Sequence, residues 1–304
     1  MPNGSPSSPL LLAGPTAVGK SEVALLLAGR LDGEIISVDS MQVYRGLDIG
    51  TAKPSTDERR RVPHHLIDVV DLHEPFDAAR FLELARGAVK EIQGRGRRPI
   101  LCGGTGLYFK AYLKGLGDSP ASAPALRAEL ERTPLTELLR ELERRDPTTF
   151  ERIDRQNPRR VVRALEVIRL TGRPFSGQRA GWEISASGAV LALRRSAADL
   201  RARLDARVDR MFEHGLVRET EWLLSRGLDQ NRTAMQAIGY RQVVEHLRGA
   251  RPLADTIAKV KARTRQVAKR QMTWLRNQLP VRWIDVAPEE SAESVADRIE
   301  RGLR

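Results

Sequence analysis

Between positions 14 and 21 the chain reads Gly14, Pro15, Thr16, Ala17, Val18, Gly19, Lys20, Ser21, directly after the apolar run Leu10 to Ala13. A strand that runs into a glycine loop and then a helix makes a cradle for a polyphosphate. Successive backbone N–H groups form an anion nest, the helix start adds its dipole, Lys20 supplies a mobile positive charge, and the Ser21 hydroxyl can sit on Mg²⁺. Val23, Ala24, Leu26, Leu27 and Leu31 continue a helical apolar face behind the loop, which is the context such a cradle needs. The loop does not say whose phosphates it holds, and the bland alternative is a glycine turn with no ligand.

Asp39 is the second residue with chemistry to offer. It ends the apolar run 35–38 and opens the polar stretch Ser40, Met41, Gln42. A carboxylate at a strand end can act as a general base, ligate magnesium or cap nearby backbone donors, and position alone leaves all three open. Lys53, in a turn with Gly50 and Pro54, pairs either with a phosphate or with a surface acid. A third polar turn, Gly103, Gly104, Thr105, Gly106, follows the apolar run 100–102.

The elements that must carry these turns are legible as alternation. Three apolar runs separated by helical stretches at 21–31 and 78–93 predict an α/β fold: a P-loop NTPase-like parallel sheet flanked by helices. Ligands in such sheets bind beyond the carboxyl ends of the strands, so all three turns should open on one crevice. After Tyr112 the composition shifts to Gly115, Gly117, Pro120, Ser122 and Pro124, which reads as a hinge. Residues 116–198 are expected to form a smaller, mainly helical insertion domain, with 1–115 and 199–304 making the core. In the insertion, Asn157 reads as an N-cap with Pro158 in the first helical turn. Arg159, Arg160 and Arg163 crowd that helix start and oppose its dipole, which favours a phosphate-facing role. Helical periodicity returns over 199–224, 235–247 and 253–278, and strands are expected at 190–193 and 281–284.

Bulk composition narrows the partners. Of 304 residues, 51 are Lys or Arg and 39 are Asp or Glu, and the net charge of +12 favours a polyanion. Cys102 is the only cysteine, which excludes an internal disulfide and a cysteine-rich metal site and suits a reducing cytoplasm. Its strand setting makes it an inert core thiol. The tail before Leu10 has no positive n-region and no apolar run approaches membrane-spanning length, so a cytoplasmic protein is expected, without membrane contact. His64 and His65 are adjacent and complete no zinc-ligand spacing. Trp182, Trp222, Trp274 and Trp283 read as core or interface anchors.

In this order, residues 14–21, the segment from Asp39 and Ser40 into Asp48, Gly50, Thr51, Lys53 and Pro54, then Pro63 to Asp68, then Gly103 to Tyr108 make the chain resemble bacterial tRNA dimethylallyltransferase. Arg159 to Glu166, Arg207 to Asp209, Ile238 to Gln242 and Thr264 to Gln271 extend the resemblance over nearly the whole length. It implies transfer of a dimethylallyl group from its diphosphate to N6 of adenosine 37, beside the tRNA anticodon. The loop 14–21 then holds the leaving diphosphate, with Mg²⁺ as cofactor shared through Ser21. Asp39 matches the catalytic aspartate that accepts an N6 proton, Thr105 matches the threonine at the prenyl diphosphate, and Arg207 matches an arginine near the diphosphate, with Arg203 one turn away as its competitor. Contacts to tRNA are implied for Asp39, Ser40, Met41, Gln42, Thr105, Arg127 and the segment Arg159, Arg160, Val161, Val162, Arg163. A monomer is expected.

A base in an RNA loop must leave its stack to be modified and have its edge read. Ser40 and Gln42 stand near enough to Asp39 to offer those hydrogen bonds. Residues 238–242 and the helix with Arg263, Arg265, Lys269, Arg270 and Arg276 are expected to add phosphate contacts. Three rival readings share parts of this pattern: an adenylate prenyltransferase acting on a free nucleotide, a small-metabolite kinase with ATP in the loop and Asp39 activating a hydroxyl, and an RNA-binding protein whose loop is idle. Prenyl transfer to an anticodon stem-loop separates them.

Overall fold

In the computed structural model, residues 8–116, 120–178 and 190–303 are described. Six strands form one parallel sheet: β1 (Leu10–Ala13), β2 (Gly33–Val38), β3 (His64–His65), β4 (Arg98–Gly103), β5 (Val190–Arg194) and β6 (Val281–Asp285), in the order β3-β2-β4-β1-β5-β6. All four residues of β1 and all six of β2 are buried. A parallel strand covered on both faces has no solvent side, which is why β1 is continuously apolar instead of alternating, while β2 buries Glu34 and Ser37 among its apolar residues.

Thirteen α-helices are assigned among the described residues. In the first part of the chain they are α1 (Lys20–Arg30), α2 (Thr56–Arg61), α3 (Ala78–Gly94) and α4 (Gly106–Lys114). Four follow in the middle, α5 (Pro124–Arg132), α6 (Leu135–Arg145), α7 (Pro147–Arg152) and α8 (Pro158–Thr171). The last five are α9 (Ala197–Glu213), α10 (Leu216–Leu224), α11 (Tyr240–Leu247), α12 (Leu253–Gln278) and α13 (Ala292–Arg301). Helix α1 buries Val23, Ala24 and Leu27 against Leu12, Ile35, Ile100 and the Val295 and Ile299 side chains of α13. Each such aliphatic side chain contributes about 1.5–3 kcal/mol of burial, so the loop ahead of α1 stands on a rigid base.

The chain forms two compact units, Met1–Tyr112 with Ser187–Arg304, and Leu113–Ala186. The expected insertion boundary at 198 therefore moves: β5 is a strand of the core sheet, paired with β1 and β6. The smaller unit has its own core, in which Leu130, Leu138, Leu142, Val162, Leu165 and Ile168 meet. Its helices are cut by prolines. Pro147 and Pro158 occupy first-turn positions, where a missing N–H costs nothing. Asn157 does precede α8, but its side chain makes no cap bond. Asp146 is the working cap of that region, accepting from the Thr149 N–H (3.0 Å) and hydroxyl (2.6 Å) and from the Ser176 N–H (2.7 Å). In the core, the periodic stretch 199–224 breaks at Gly215 (φ 99°) and 235–247 breaks at Gly239 (φ 100°), conformations that L side chains rarely adopt. Trp182 lies outside the described residues.

Candidate active site

The three turns lie at the carboxyl ends of β1, β2 and β4, adjacent strands of the sheet. The loop after β1 leads to Gly19, the N-cap of α1 (φ 102°), and no side chain caps that helix. Its first-turn N–H groups thus have no side-chain acceptor, the usual state of an anion-binding helix start. The loop carbonyls are each bound by a cation: Pro15 O accepts from Lys20 Nζ (3.3 Å), Ala17 O from Arg203 Nε (3.2 Å) and Val18 O from Arg195 Nε (3.0 Å). A bound anion would otherwise meet those oxygens as like partial charge. Two of the eight residues offer less than expected, because the Thr16 N–H is taken by Gln271 Oε1 (2.9 Å) and the Val18 side chain is buried in the core.

Asp39 follows β2 in a side-chain turn: Oδ1 accepts from the Met41 N–H (2.8 Å) and the Gln42 N–H (3.3 Å). One oxygen is therefore structural, and Oδ2 accepts no hydrogen bond among the described residues. Thr105 ties the β4 turn to the same place, its N–H donating to Val38 O (3.2 Å) and its Oγ1 accepting from the Ser40 N–H (3.3 Å). Gln42, expected to read the base edge, is already committed. Its Oε1 accepts from Ser37 Oγ (2.8 Å) and its Nε2 donates to Thr51 O (3.2 Å) and Ala52 O (3.3 Å). Ser40 and Met41 remain partly exposed beside Asp39.

A cavity of about 1450 Å³ opens on the glycine loop, lined by Gly19, Lys20, Ser21, Arg203, Arg207 and Arg210 together with the 48–61 segment. Asp39 and Thr105 do not line this cavity; they stand at the neighbouring strand ends. Electrostatics still connect them. The Lys20 pKa is lowered by desolvation, raised by Cys102, lowered again by Arg207 and raised by Asp39. That of Arg207 is lowered by desolvation and raised by Asp39. The Arg207 Nε is buried without a hydrogen-bond partner, whereas the Arg203 Nε donates to Ala17 O (3.2 Å). Both arginines line the cavity, and of the two Arg207 is the one whose Nε is unmet.

The 48–54 segment answers the question left by Lys53. Its ammonium is bound to Asp48 Oδ1 (2.7 Å), Tyr44 O (2.6 Å) and Asp68, with only 2% of the side chain exposed. Arg59 shares Asp68 at 2.7 Å. Lys53 is thus a clasp inside the protein and not a phosphate ligand. A second clasp is invisible in the sequence: Glu219 of α10 accepts from the Ile49 N–H (2.9 Å) and the Tyr240 hydroxyl (2.6 Å), and the Gly50 N–H donates to that hydroxyl (3.1 Å). A Cβ at Gly50 would sit 2.5 Å from the Tyr240 ring, so the segment and the ring require one another. Tyr240 and Gln242 are buried, and Gln242 caps Gly239 N–H (2.9 Å), which removes both from the expected phosphate contacts.

Magnesium carried on a substrate fits the donor set. The nearby acids Asp48 and Asp68 are paired with Lys53 and Arg59, while the exposed Ser21 hydroxyl lines the cavity. A hydrated ion that takes most of its ligands from phosphate oxygens matches such a site. Neither histidine offers a free pair of ring nitrogens: His64 Nδ1 lies 2.7 Å from Val62 O, and His65 Nε2 lies 2.6 Å from Glu34. The Cys102 thiol is buried and pushed up to about 11 by desolvation, in keeping with an inert core residue.

Several expected RNA contacts change meaning. Val161 and Val162 are core residues of the smaller unit, so their side chains cannot meet RNA. Arg163 binds Glu166 Oε2 (2.7 Å) and Pro120 O (2.6 Å), and Arg127 binds Glu131 (3.2 Å) and Glu166 (3.5 Å). Both arginines hold the fully buried Glu166 carboxylate, whereas Arg159 and Arg160 are exposed on the helix surface. On α12, Arg265 lies 3.4 Å from Asp205 of α9, while Arg263, Lys269, Arg270 and Arg276 are exposed. Trp222 is 46% exposed with Arg226 4.2 Å above its ring, and is no core anchor.

A glycine loop on a parallel sheet, a cation-lined cavity and an adjoining strand-end carboxylate define a P-loop group-transfer enzyme. Residues 42–278 match the model of the IPP transferase family, and the chain belongs to that family. It is 45% identical to tRNA dimethylallyltransferase 1 of Trichlorobacter lovleyi over 290 residues, 93% of this chain and 95% of the relative. With the tRNA dimethylallyltransferase of Geobacter metallireducens it shares 46% identity over 91% of this chain and 92% of the relative. Among solved structures, the tRNA isopentenylpyrophosphate transferase of Bacillus halodurans superposes with a TM-score of 0.71 at 40% identity, covering 98% and 97% of the two chains. A eukaryotic dimethylallyltransferase caught acting on tRNA superposes at 0.84 with 30% identity, covering 96% of this chain and 77% of that one. No described helix is long and apolar enough to cross a membrane.

Proposed function

We propose that the protein transfers a dimethylallyl group from dimethylallyl diphosphate to N6 of adenosine 37 in the anticodon loop of tRNA, releasing diphosphate, and that it works in the cytoplasm as a monomer. The observation that carries this reading is the pairing of an anion cradle holding Lys20 and an unsatisfied Arg207 with the Asp39 and Thr105 turns on the adjacent strand ends. An allylic C–O bond ionises more readily as charge grows on a diphosphate held by fixed donors. Here the donors are the N–H groups of the α1 start, Lys20 and Arg207.

In the reaction, the electron pair of the breaking C–O bond leaves with the diphosphate. The exocyclic N6 forms the new C–N bond, and its proton passes to the free Oδ2 of Asp39. An N6 lone pair delocalised into the purine is a poor nucleophile, so a base within hydrogen-bond reach is worth about 10²–10⁴ in rate. Thr105 Oγ1, held by the Ser40 N–H, keeps its own proton to donate to a leaving-group oxygen. Magnesium, carried on the diphosphate and touching Ser21, would supply further charge neutralisation there. The basic exposed faces of α8 and α12 suit an RNA backbone. Incubating the protein with an anticodon stem-loop and dimethylallyl diphosphate, then weighing the adenosine product, tests the reading. A product unchanged in mass would overturn it.

A further inference from the structure

Helix α12 carries exposed basic residues on one side, yet its opposite side reaches the chemistry. The Gln271 carboxamide uses both ends. Its Oε1 accepts from the Thr16 N–H (2.9 Å) and stands 3.4 Å from Thr16 Oγ1, while its Nε2 donates to Gly104 O (3.1 Å). One side chain therefore joins the diphosphate loop to the turn that carries Thr105. The fit is close: a Cβ on Gly104 would lie 2.4 Å from Gln271 Nε2, and one on Gly106 would lie 2.0 Å from Trp274, one helical turn further along α12. Glycine at 106 lets the Trp274 ring sit that near, and a side chain at 104 would push the Gln271 carboxamide off its bond to Gly104 O.

We infer that Gln271 is a positioning residue for the transfer, fixing the separation between the loop that holds the leaving group and the turn that presents the acceptor. The hydrogen-bonded path runs from Thr16 through Gln271 to Gly104, on to Thr105, and through the Ser40 N–H to the residue beside Asp39. In a displacement, the leaving oxygen, the reacting carbon and the incoming nitrogen must lie in line, and misplacement by about 1 Å costs on the order of 10²-fold in rate. Each half of the site has its own anchor: Lys20, Arg195 and Arg203 hold the loop carbonyls, and Asp39 holds its own turn. Gln271 is the described side chain that hydrogen-bonds to both the loop and the β4 turn. It touches neither reactant through a charged group, so its loss should fall on the rate of transfer and not on the binding of either substrate.

This inference rests on the prenyl-transfer reading, and the test keeps the two apart. Single-turnover transfer to an anticodon stem-loop is measured for wild type, Gln271→Met and Gln271→Asn, with dissociation constants for dimethylallyl diphosphate and for the stem-loop, and a thermal melt for each. Met matches the length and removes both hydrogen bonds; Asn keeps the amide but is one methylene too short to span both turns. The rate should fall by about 10–100-fold for Met and by less for Asn, with both dissociation constants within about threefold of wild type. Wild-type transfer by Gln271→Met, or a loss matched in full by weaker diphosphate binding, would overturn the role of Gln271. A wild-type protein that transfers nothing would instead overturn the function on which it rests.

Discussion

Arg207 and Lys20 line one cavity at the glycine loop, and the Arg207 charge adds to burial in lowering the proton affinity of Lys20. Two cations kept close with an unsatisfied Arg207 Nε store repulsion that a diphosphate relieves on arrival. Asp39 is the anion whose charge favours the protonated form of both. Arg207→Gln should therefore weaken binding of inorganic pyrophosphate by about 10–100-fold while leaving the free protein at least as stable. Calorimetric titration and thermal melts check this; a variant that binds pyrophosphate normally would remove Arg207 from the leaving-group site.

Asp39→Asn separates the base from the turn. The amide oxygen can still accept from the Met41 and Gln42 N–H groups, so the backbone is kept, but no carboxylate remains to take a proton. Turnover should fall by about 10²–10⁴ with little change in the melting temperature or in stem-loop affinity. Steady-state kinetics beside a binding titration decide it, and wild-type turnover would rule out the base.

Acid stability should depend on Glu34. Burial would raise its pKa, but hydrogen bonds from Arg95 and His65 more than compensate and hold it at about 2. A folded pKa below the unfolded value stabilises above the ordinary carboxylate range and loses that contribution as pH falls from about 4.5 towards 2. The contribution near neutral pH is on the order of 3 kcal/mol. Glu34→Gln should lower the melting temperature at pH 7 and flatten its decline between pH 4.5 and 2.5. A decline as steep as that of wild type would place the acid sensitivity elsewhere.

The arginines of α8 should divide by role. Arg163→Ala removes the nearer of the two guanidinium groups from buried Glu166, which keeps Arg127, the Ser122 hydroxyl and the Ala123 N–H, and is expected to destabilise the smaller unit by about 1.5–3 kcal/mol, read as a lower unfolding midpoint. Arg160→Ala should leave the midpoint nearly unchanged and reduce the salt dependence of stem-loop binding by about 0.7 in log–log slope for the phosphate that it engages. An unaltered slope would take α8 out of the RNA footprint.

Much of the frame is legible without coordinates because it depends on local patterns. The β1 and β2 runs, the glycine loop, α3 and the full length of α12 follow from apolar periodicity and turn chemistry. The breaks at Gly215 and Gly239 do not, since the apolar periodicity continues across positive-φ glycines that cap the starts of α10 and α11. Nor does the boundary of the smaller unit, because β5 belongs to the core by pairing with β1, a partner far away in sequence.

By itself, the order of residues determined the cradle, the strand-end acid and the class of chemistry, because a P-loop is a contiguous stretch whose N–H groups, lysine and hydroxyl act within a few residues of one another. Only the tertiary structure decided which polar side chains are free. Lys53, Gln42 and Arg163 carry the right chemistry for phosphate or base, yet each is consumed by a partner inside the protein. Arg207 is left with an unmet donor, and Gln271 is drawn across 255 residues of chain to Thr16. Hydrogen-bond capacity is finite and is spent on whatever folding brings near, and long-range proximity is not written in local spacing.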